Sequence, residues 1–188
     1  AMVASTMKLN PDFLYTCRQI AEQSPTPVHF QFFIGAARGL VGLQVTQVVE
    51  RYLGKWATVN LQQGYIHYLQ QIANCDLYIN PFPFGNMNGI VDLLSVGLVG
   101  VCKSGNEPHE HIDQGLFERL GMPDWLVTTT NEDYINAALR LINNHEERLA
   151  IRSNLDGRTA INRLFEGREE LFGLLVQDLH QALITPLS

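Results

Sequence analysis

The sequence is poor in cysteine and lacks clusters of positive charge. Its three cysteines, Cys17, Cys75 and Cys102, are widely and irregularly spaced, so we predict structural thiols rather than a disulfide framework or a zinc site. No run of Lys and Arg interleaves with aromatic residues, and the formal net charge is −6. A nucleic-acid-binding surface is therefore not expected, and the acidic balance also argues against anionic membrane surfaces.

Long apolar runs are absent as well. Gly, Ser or charged residues interrupt each run well before the roughly 20 residues that a membrane-spanning helix needs, and the first residues lack the charged-then-apolar layout of a signal sequence. We therefore expect a cytoplasmic protein without a membrane segment. A strand-like segment, Met2 to Ser5, begins almost at the first residue. We therefore predict that this sequence is a piece of a longer chain.

Strand and helix patterns alternate along the sequence, which is 46% hydrophobic. Runs of β-branched and aromatic residues predict strands at 2–5, 28–34, 56–60, 76–79, 99–102 and 125–129. Helical spacing predicts helices at 12–23, 40–53, 64–74, 109–120, 131–141 and about 145–185, the last with a leucine stripe. This alternation predicts a single α/β domain over residues 1–188, with a Rossmann-like parallel sheet covered by helices on both faces.

The most informative stretch runs from Asn80 to Asp92, between the fourth predicted strand and a helix. We call it the corner. Its prolines forbid helix, its glycines allow close approach of a ligand, and Asn88 is predicted to cap the helix, whose positive end suits a diphosphate. Asp92 lies one turn after Asn88 and could accept from a sugar hydroxyl. The alternative is a plain strand-to-helix turn, because the spacing of neither the dinucleotide fingerprint nor the ATP-binding loop is present.

A second candidate loop follows the first strand. Lys8 lies there beside the hydroxyls of Ser5 and Thr6, at the sheet edge where ligands of doubly wound folds bind. It is predicted to meet a ligand phosphate, the alternative being a solvated loop lysine. His67, early in the helix before the corner, is predicted to stack on a base or to be a half-buried helix histidine. Phe84 is expected to pack on something, since an exposed loop aromatic is costly.

His109 and His111, with Glu107, Glu110 and Asp113 close by in the sequence, are residue types that commonly bind metals. Two histidines that are two residues apart on a helix point in different directions. We therefore predict no metal site, and a metal-dependent hydrolase built on these histidines would require stoichiometric zinc in the purified protein.

The corner, residues 99–103 and residues 107–113 together closely resemble the bacterial cytoplasmic N-glycosyltransferases of glycosyltransferase family 41, which glucosylate adhesins. The resemblance covers about residues 3–152, and it extends more distantly to the protein O-GlcNAc transferases. It implies the C-terminal, nucleotide-sugar-binding half of a two-domain GT-B enzyme. That enzyme would transfer hexose from UDP-glucose or another UDP-hexose, with inversion and without a metal, to asparagine of an adhesin-type protein. A missing N-terminal domain would hold the acceptor, so this fragment alone is expected to be inactive.

The resemblance also implies roles for individual residues. Lys8 and Asn88 would be catalytic through their contacts with the donor diphosphate, with Ser5 standing where relatives have threonine. Asp92 would bind the ribose and His67 would pack on the uracil. Phe84 and Gly85 would shape the pocket near the sugar. Thr6 and Gly89 are also predicted to contact the donor. A non-catalytic UDP-sugar or nucleotide-binding module is the alternative function.

Overall fold

The computed structural model describes residues 1–155, 157–167 and 169–184 and alternates six strands with helices. The strands are β1 (Met2–Ser5), β2 (Phe30–Gly35), β3 (Ala57–Asn60), β4 (Tyr78–Ile79), β5 (Gly100–Lys103) and β6 (Val127–Thr128). The helices are α1 (Pro11–Gln23), α2 (Gly39–Leu53), α3 (Tyr65–Ile72), α4 (Met87–Ser95), α5 (Ile112–Leu120), α6 (Asn131–Asn143), α7 (His145–Asn154), α8 (Gly157–Phe165) and α9 (Glu169–Ile184). Each strand overlaps a predicted one.

The strands form two parallel ladders, β1-β2-β3 and β4-β5-β6. Ala1 joins them, because its carbonyl accepts from the Ile79 amide at 2.9 Å and its amino group donates to the Leu77 carbonyl at 2.6 Å. The strand order is therefore β3-β2-β1-β4-β5-β6. In such an order the loops after β1 and β4 diverge to opposite sides and leave a crevice between them at the carboxyl ends of the strands.

Helices cover both faces of the sheet, as predicted. Successive residues of each strand point to opposite faces, so Met2 and Ala4 join one core cluster while Val3 packs against the other. The first cluster takes its helical residues from α1, α2 and α6, and the second takes most of its helical residues from α3, α4, α5, α7 and α8. The two cores confirm the predicted α/β class with a parallel sheet between two helical layers.

Helices α4 and α5 begin away from their predicted positions, and strands β2, β4 and β6 each begin two residues later than predicted. Residues 108–110 form a 3₁₀ turn fixed by a reciprocal capping box between Glu107 and Glu110, so α5 starts at Ile112 rather than at 109. Another 3₁₀ turn at 124–126 shortens β6 to two residues. The prediction that Asn88 caps the helix after the corner is wrong: α4 begins at Met87 with Asn86 in the N-cap position.

The cysteines are free thiols, and burial raises the pKa of Cys17 and Cys102. In the described residues no helix is long and apolar enough to cross a membrane.

The predicted helical region 145–185 contains α7, α8 and α9, while residue 185 lies outside the described residues. The leucine stripe on α9 is exposed at Leu171, Leu174, Leu175 and Leu179. The structure does not describe the side chain of Leu183. The assignment of 1–188 to a single domain stays a prediction.

Candidate functional site

The loop after β1 is bonded directly to the corner after β4. The Asn10 side-chain amide donates to the Phe82 carbonyl at 2.5 Å, and its oxygen accepts from the Phe13 amide, which caps α1. The Lys8 ammonium donates to the Gly85 carbonyl. The structure thus brings together Lys8 and the corner, as expected from the carboxyl ends of two strands that share one edge of the sheet.

Asp113, in the first turn of α5, holds the other end of the Gly85–Asn86 peptide group. The Asn86 amide donates to its two carboxylate oxygens at 3.0 and 2.9 Å. A Cβ atom added to Gly85 would lie 2.1 Å from Asp113 Oδ2, and one added to Gly89 would lie 1.9 Å from Asn86 Nδ2. Side chains at these two positions would displace their neighbours, so the glycines permit the close packing of the corner.

Burial and charge shift the pKa values of Lys8 and Asp113 in opposite directions. Burial lowers the pKa of Lys8, and the nearby Asp113 charge partly offsets this effect. Burial raises the pKa of Asp113 to about 6, against the lowering effects of the Asn86 hydrogen bond and the Lys8 charge. The ammonium has a neutral carbonyl as its hydrogen-bond partner, and it can therefore exchange that partner for an anion.

A cleft of about 520 Å³ opens beside these loops, between the carboxyl ends of β1 and β2 and helix α4. Four of the predicted donor-contact residues line it: Ser5, Asn88, Gly89 and Asp92. The Asn86 side chain makes no capping hydrogen bond to α4. First-turn amides of this helix thus lie without a side-chain cap at the mouth of the cleft, where the helix dipole favours an anion.

Two tyrosines that the sequence analysis missed hold the Asp92 carboxylate. The Tyr65 hydroxyl donates to Oδ1 at 2.8 Å and the Tyr68 hydroxyl donates to Oδ2 at 3.2 Å. The Tyr68 ring also packs edge-on against Phe33, with centroids 5.8 Å apart, whereas Tyr65 is 58% exposed. The hydrogen bond to Asp92 raises the pKa of Tyr65, and burial followed by the Asp92 charge raises that of Tyr68. Tyr68 is therefore the fixed partner of Asp92 and Tyr65 the accessible one.

The other predicted site residues do not line the cleft. Lys8 is bonded to Gly85, the chain neighbour of the lining residue Asn86, and Thr6 lies in the 3₁₀ turn with Lys8. Phe84 packs on a partner, as expected: its ring stacks on His109 at 4.4 Å, although it remains 53% exposed. His67 is exposed, and its Nε2 lies 3.2 Å from the Gln71 amide nitrogen.

The histidines after β5 serve other contacts. His109 stacks on Phe84, and His111 Nδ1 lies 3.1 Å from the Ser104 hydroxyl and 3.2 Å from Gln114 Oε1. In the part of the chain that the structure describes, no three His, Cys, Asp or Glu side chains come together as a metal site. The geometry therefore gives no support to a hydrolase built on these histidines.

The buried Asp113 predicts a pH dependence of stability. An unfolded aspartate titrates near 3.9, whereas the pKa of Asp113 in the fold is about 6. The folded state thus binds the proton more tightly, and this group stabilises the fold at low pH and loses that contribution as the pH rises through 6. Between pH 4 and 7 the unfolding free energy of the native chain should fall, relative to Asp113→Asn, by on the order of 2 kcal/mol.

Urea unfolding of both proteins at several pH values in this window measures the difference. A difference in unfolding free energy that stays constant with pH would contradict the raised pKa of Asp113.

The chain has sequence relatives among curated proteins. No protein-family model matches the chain. Two curated relatives, both described as UDP-glucose:protein N-beta-glucosyltransferase, come from Actinobacillus pleuropneumoniae serotype 5b (strain L20) and serotype 7 (strain AP76). Each is 46% identical over 166 residues, which cover 88% of this chain and 27% of the relative. The chain thus spans about a quarter of the length of these relatives.

Solved structures show the same fold. An O-GlcNAc transferase from Thermobaculum terrenum (mutant K341M) superposes with a TM-score of 0.74, covering 96% of this chain and 35% of that chain at 16% identity. The catalytic domain of cholesterol-alpha-glucosyltransferase from Helicobacter pylori gives a TM-score of 0.59 over 86% of this chain and 96% of that chain, at 14% identity. Both neighbours are glycosyltransferases, and the likeness confirms the predicted GT-B type of fold.

Proposed function

The chain belongs to the family of the UDP-glucose:protein N-beta-glucosyltransferases, and we propose that it is the donor-binding domain of an inverting enzyme that transfers hexose from a UDP-hexose to asparagine. The observation that carries the proposal is the meeting of the Lys8 ammonium with the start of α4 at the β1–β4 crevice. A cationic side chain and a helix N-terminus that face one crevice suit a diphosphate.

The chemistry needs stabilisation of the negative charge that grows on UDP as it leaves. In this proposal the Lys8 ammonium leaves the Gly85 carbonyl and donates to a phosphate oxygen, where it gains a charged partner. Asn88, exposed in the first turn of α4, and the first-turn amides supply further donors. These groups stabilise the leaving group by preorganised hydrogen bonds. We propose that the reaction uses no metal cofactor, and the chain contains no Asp-x-Asp sequence.

The rest of the cleft suits the nucleoside. Its volume of about 520 Å³ lies within the range of small-molecule sites. The Asp92 carboxylate faces it and can accept from two vicinal ribose hydroxyls, and the exposed Tyr65 ring offers a surface for the base. His67 would have to turn toward the cleft to touch the uracil. Ser5 assists at the diphosphate, while Phe84 and Gly85 flank the hexose.

The acceptor remains outside this chain in our proposal. An asparagine of an adhesin-type protein would be held by another domain of the parent enzyme, in the cytoplasm, and this chain alone would bind donor without turnover.

Calorimetry tests the donor site, and we expect UDP to bind in the micromolar to millimolar range. Mass spectrometry of an adhesin peptide incubated with the parent enzyme and UDP-glucose tests transfer, and UDP binding without any glycosylated peptide would favour a non-catalytic binding module.

The tyrosine pair on Asp92 gives an ordered prediction for UDP affinity. Tyr68→Phe removes the fixed partner that orients the carboxylate, and the loss of one hydrogen bond is expected to weaken UDP binding about three- to tenfold. Tyr65→Phe removes a hydroxyl that competes with the ribose for Asp92, so affinity should stay unchanged or rise by about threefold at most. Calorimetric titration of the two matched variants checks the order, and a larger loss in Tyr65→Phe than in Tyr68→Phe would reverse the assignment.

A further inference from the structure

The Gly85–Asn86 peptide is bonded at both of its polar atoms. Its carbonyl oxygen accepts from the Lys8 ammonium, and its nitrogen donates to the two oxygens of Asp113 at 3.0 and 2.9 Å. The peptide belongs to the segment after β4, and its two partner residues come from the turn after β1 and from the first turn of α5, which follows β5. One peptide group therefore ties together the segments that follow three strands, at the carboxyl edge of the sheet.

The Asp113 side chain fits closely into this position. It is 2% exposed, and the three atoms of its carboxylate lie 2.1 to 2.3 Å from where a Cβ atom on Gly85 would be. Its hydrogen bonds go to a neutral amide, and in the described part of the chain no Lys or Arg forms a salt bridge with it. A buried carboxylate in such surroundings costs folding free energy. Stability alone therefore gives no reason for an ionisable group here.

The contact with Asp113 fixes the start of α4. Asn86 is the N-cap residue of this helix, and its carbonyl accepts from the Ile90 amide at 2.9 Å, which is the first bond of the helix. Asn88 and Asp92 follow on the same helix and line the cleft. A displacement of the Asn86 amide would move Asn88 in the first turn of the helix, whereas Asp92 lies one turn further on and is held by the Tyr65 and Tyr68 hydroxyls.

We propose that Asp113 is a positioning residue for the donor diphosphate. It holds the Gly85–Asn86 peptide in place when Lys8 transfers its hydrogen bond from the Gly85 carbonyl to a phosphate oxygen. Asp113 does not itself contact the donor. The inference rests on the proposed donor site, since without a diphosphate Lys8 has no reason to leave the carbonyl.

Calorimetric titration of the present chain with UDP and with uridine separates the two ends of the site. Asp113→Ala should weaken UDP binding about tenfold or more, because it removes a charge-assisted hydrogen bond to the diphosphate-side peptide. Asp113→Asn keeps one acceptor oxygen for the Asn86 amide and should lose only about threefold. Uridine affinity should stay the same in both variants, since the nucleoside end of the cleft is unchanged.

Two further variants make the test specific. In Gly85→Ala the added methyl group displaces the Asp113 carboxylate, so this variant should show the same selective loss of UDP affinity. It replaces Asp113→Ala in the test if Asp113→Ala does not fold. Asp133→Ala is the matched control, because Asp133 is an exposed acid in the first turn of α6, away from the cleft. It should leave both affinities unchanged.

The outcomes are distinct. Undiminished UDP affinity in Asp113→Ala and Gly85→Ala would overturn the positioning role while the proposed donor site stands. An equal loss of UDP and uridine affinity would also overturn it, since Asp113 would then only support the fold. A native chain that binds no UDP would overturn the proposed function and this inference together.

Discussion

Replacement of Lys8 with alanine is expected to weaken UDP binding by about ten- to a hundredfold, since hydrogen bonds to charged groups contribute roughly 1.5–3 kcal/mol. Lys8 lies in the turn after β1, and its ammonium already points at the corner, where it donates to the Gly85 carbonyl. Lys8 is half-buried, so its charge is partly removed from water, and this burial lowers its pKa. Partial desolvation strengthens its attraction to an incoming diphosphate.

The matched control for this lysine is Lys55→Ala. Lys55 lies at the opposite end of β3 from the cleft, with its ammonium 5.7 Å from the centroid of the Trp56 ring. Removal of the Lys55 ammonium should leave UDP affinity unchanged.

Asn88→Ala should weaken UDP binding, as Lys8→Ala does, because it removes a hydrogen-bond donor from the first turn of α4. Calorimetry that shows unchanged UDP affinity in both Lys8→Ala and Asn88→Ala would refute the site assignment.

Replacement of Phe82 with alanine is expected to destabilise the fold by about 3–5 kcal/mol, the usual cost of truncating a buried aromatic residue. Phe82 is 3% exposed. Its ring makes edge-on contacts with Phe13 and Tyr134 at centroid distances of 5.5 and 5.2 Å, and the Lys103 ammonium lies 4.4 Å from its centroid. This side chain thus anchors the corner to α1 and α6.

The corner supplies its own control for this prediction. Phe84 lies two residues further on, is 53% exposed and stacks only at the surface on His109. Phe84→Ala should therefore cost less than about 1 kcal/mol, since surface substitutions have small effects. Urea unfolding of the two variants measures both values. Equal destabilisation by the two substitutions would contradict the anchoring role of Phe82.

Local patterns were sufficient to predict the layers of the fold. The strand at 2–5 and the start of the helix at 131 were both readable from a few adjacent residues, and the structure confirms them. The start of α4 was not readable in this way. Both Asn86 and Asn88 are good caps by residue type, and the choice between them depends on the Asp113 contact, which joins residues 27 positions apart.

The same limit explains which site residues were missed. Lys8 and Asp92 were predicted because a loop position or a helical spacing marks them. Tyr65 and Tyr68 lie on another helix, and their hydroxyls reach Asp92 across 27 and 24 residues of chain. A sequence alone gives no distance between such elements. The sequence did contain one signal for these residues, because two tyrosines three residues apart lie on the same face of the helix before the corner.

The joint between β1 and β4 has a mechanical consequence. The two ladders meet through Ala1, and the Lys8 loop and the corner extend from opposite ladders. At the carboxyl edge their separation is set by two hydrogen bonds, from Lys8 to Gly85 and from Asn10 to Phe82. A diphosphate that draws Lys8 away releases one of these two ties and replaces it with a bridge through the ligand. The aperture of the crevice is then determined partly by the dimensions of the donor.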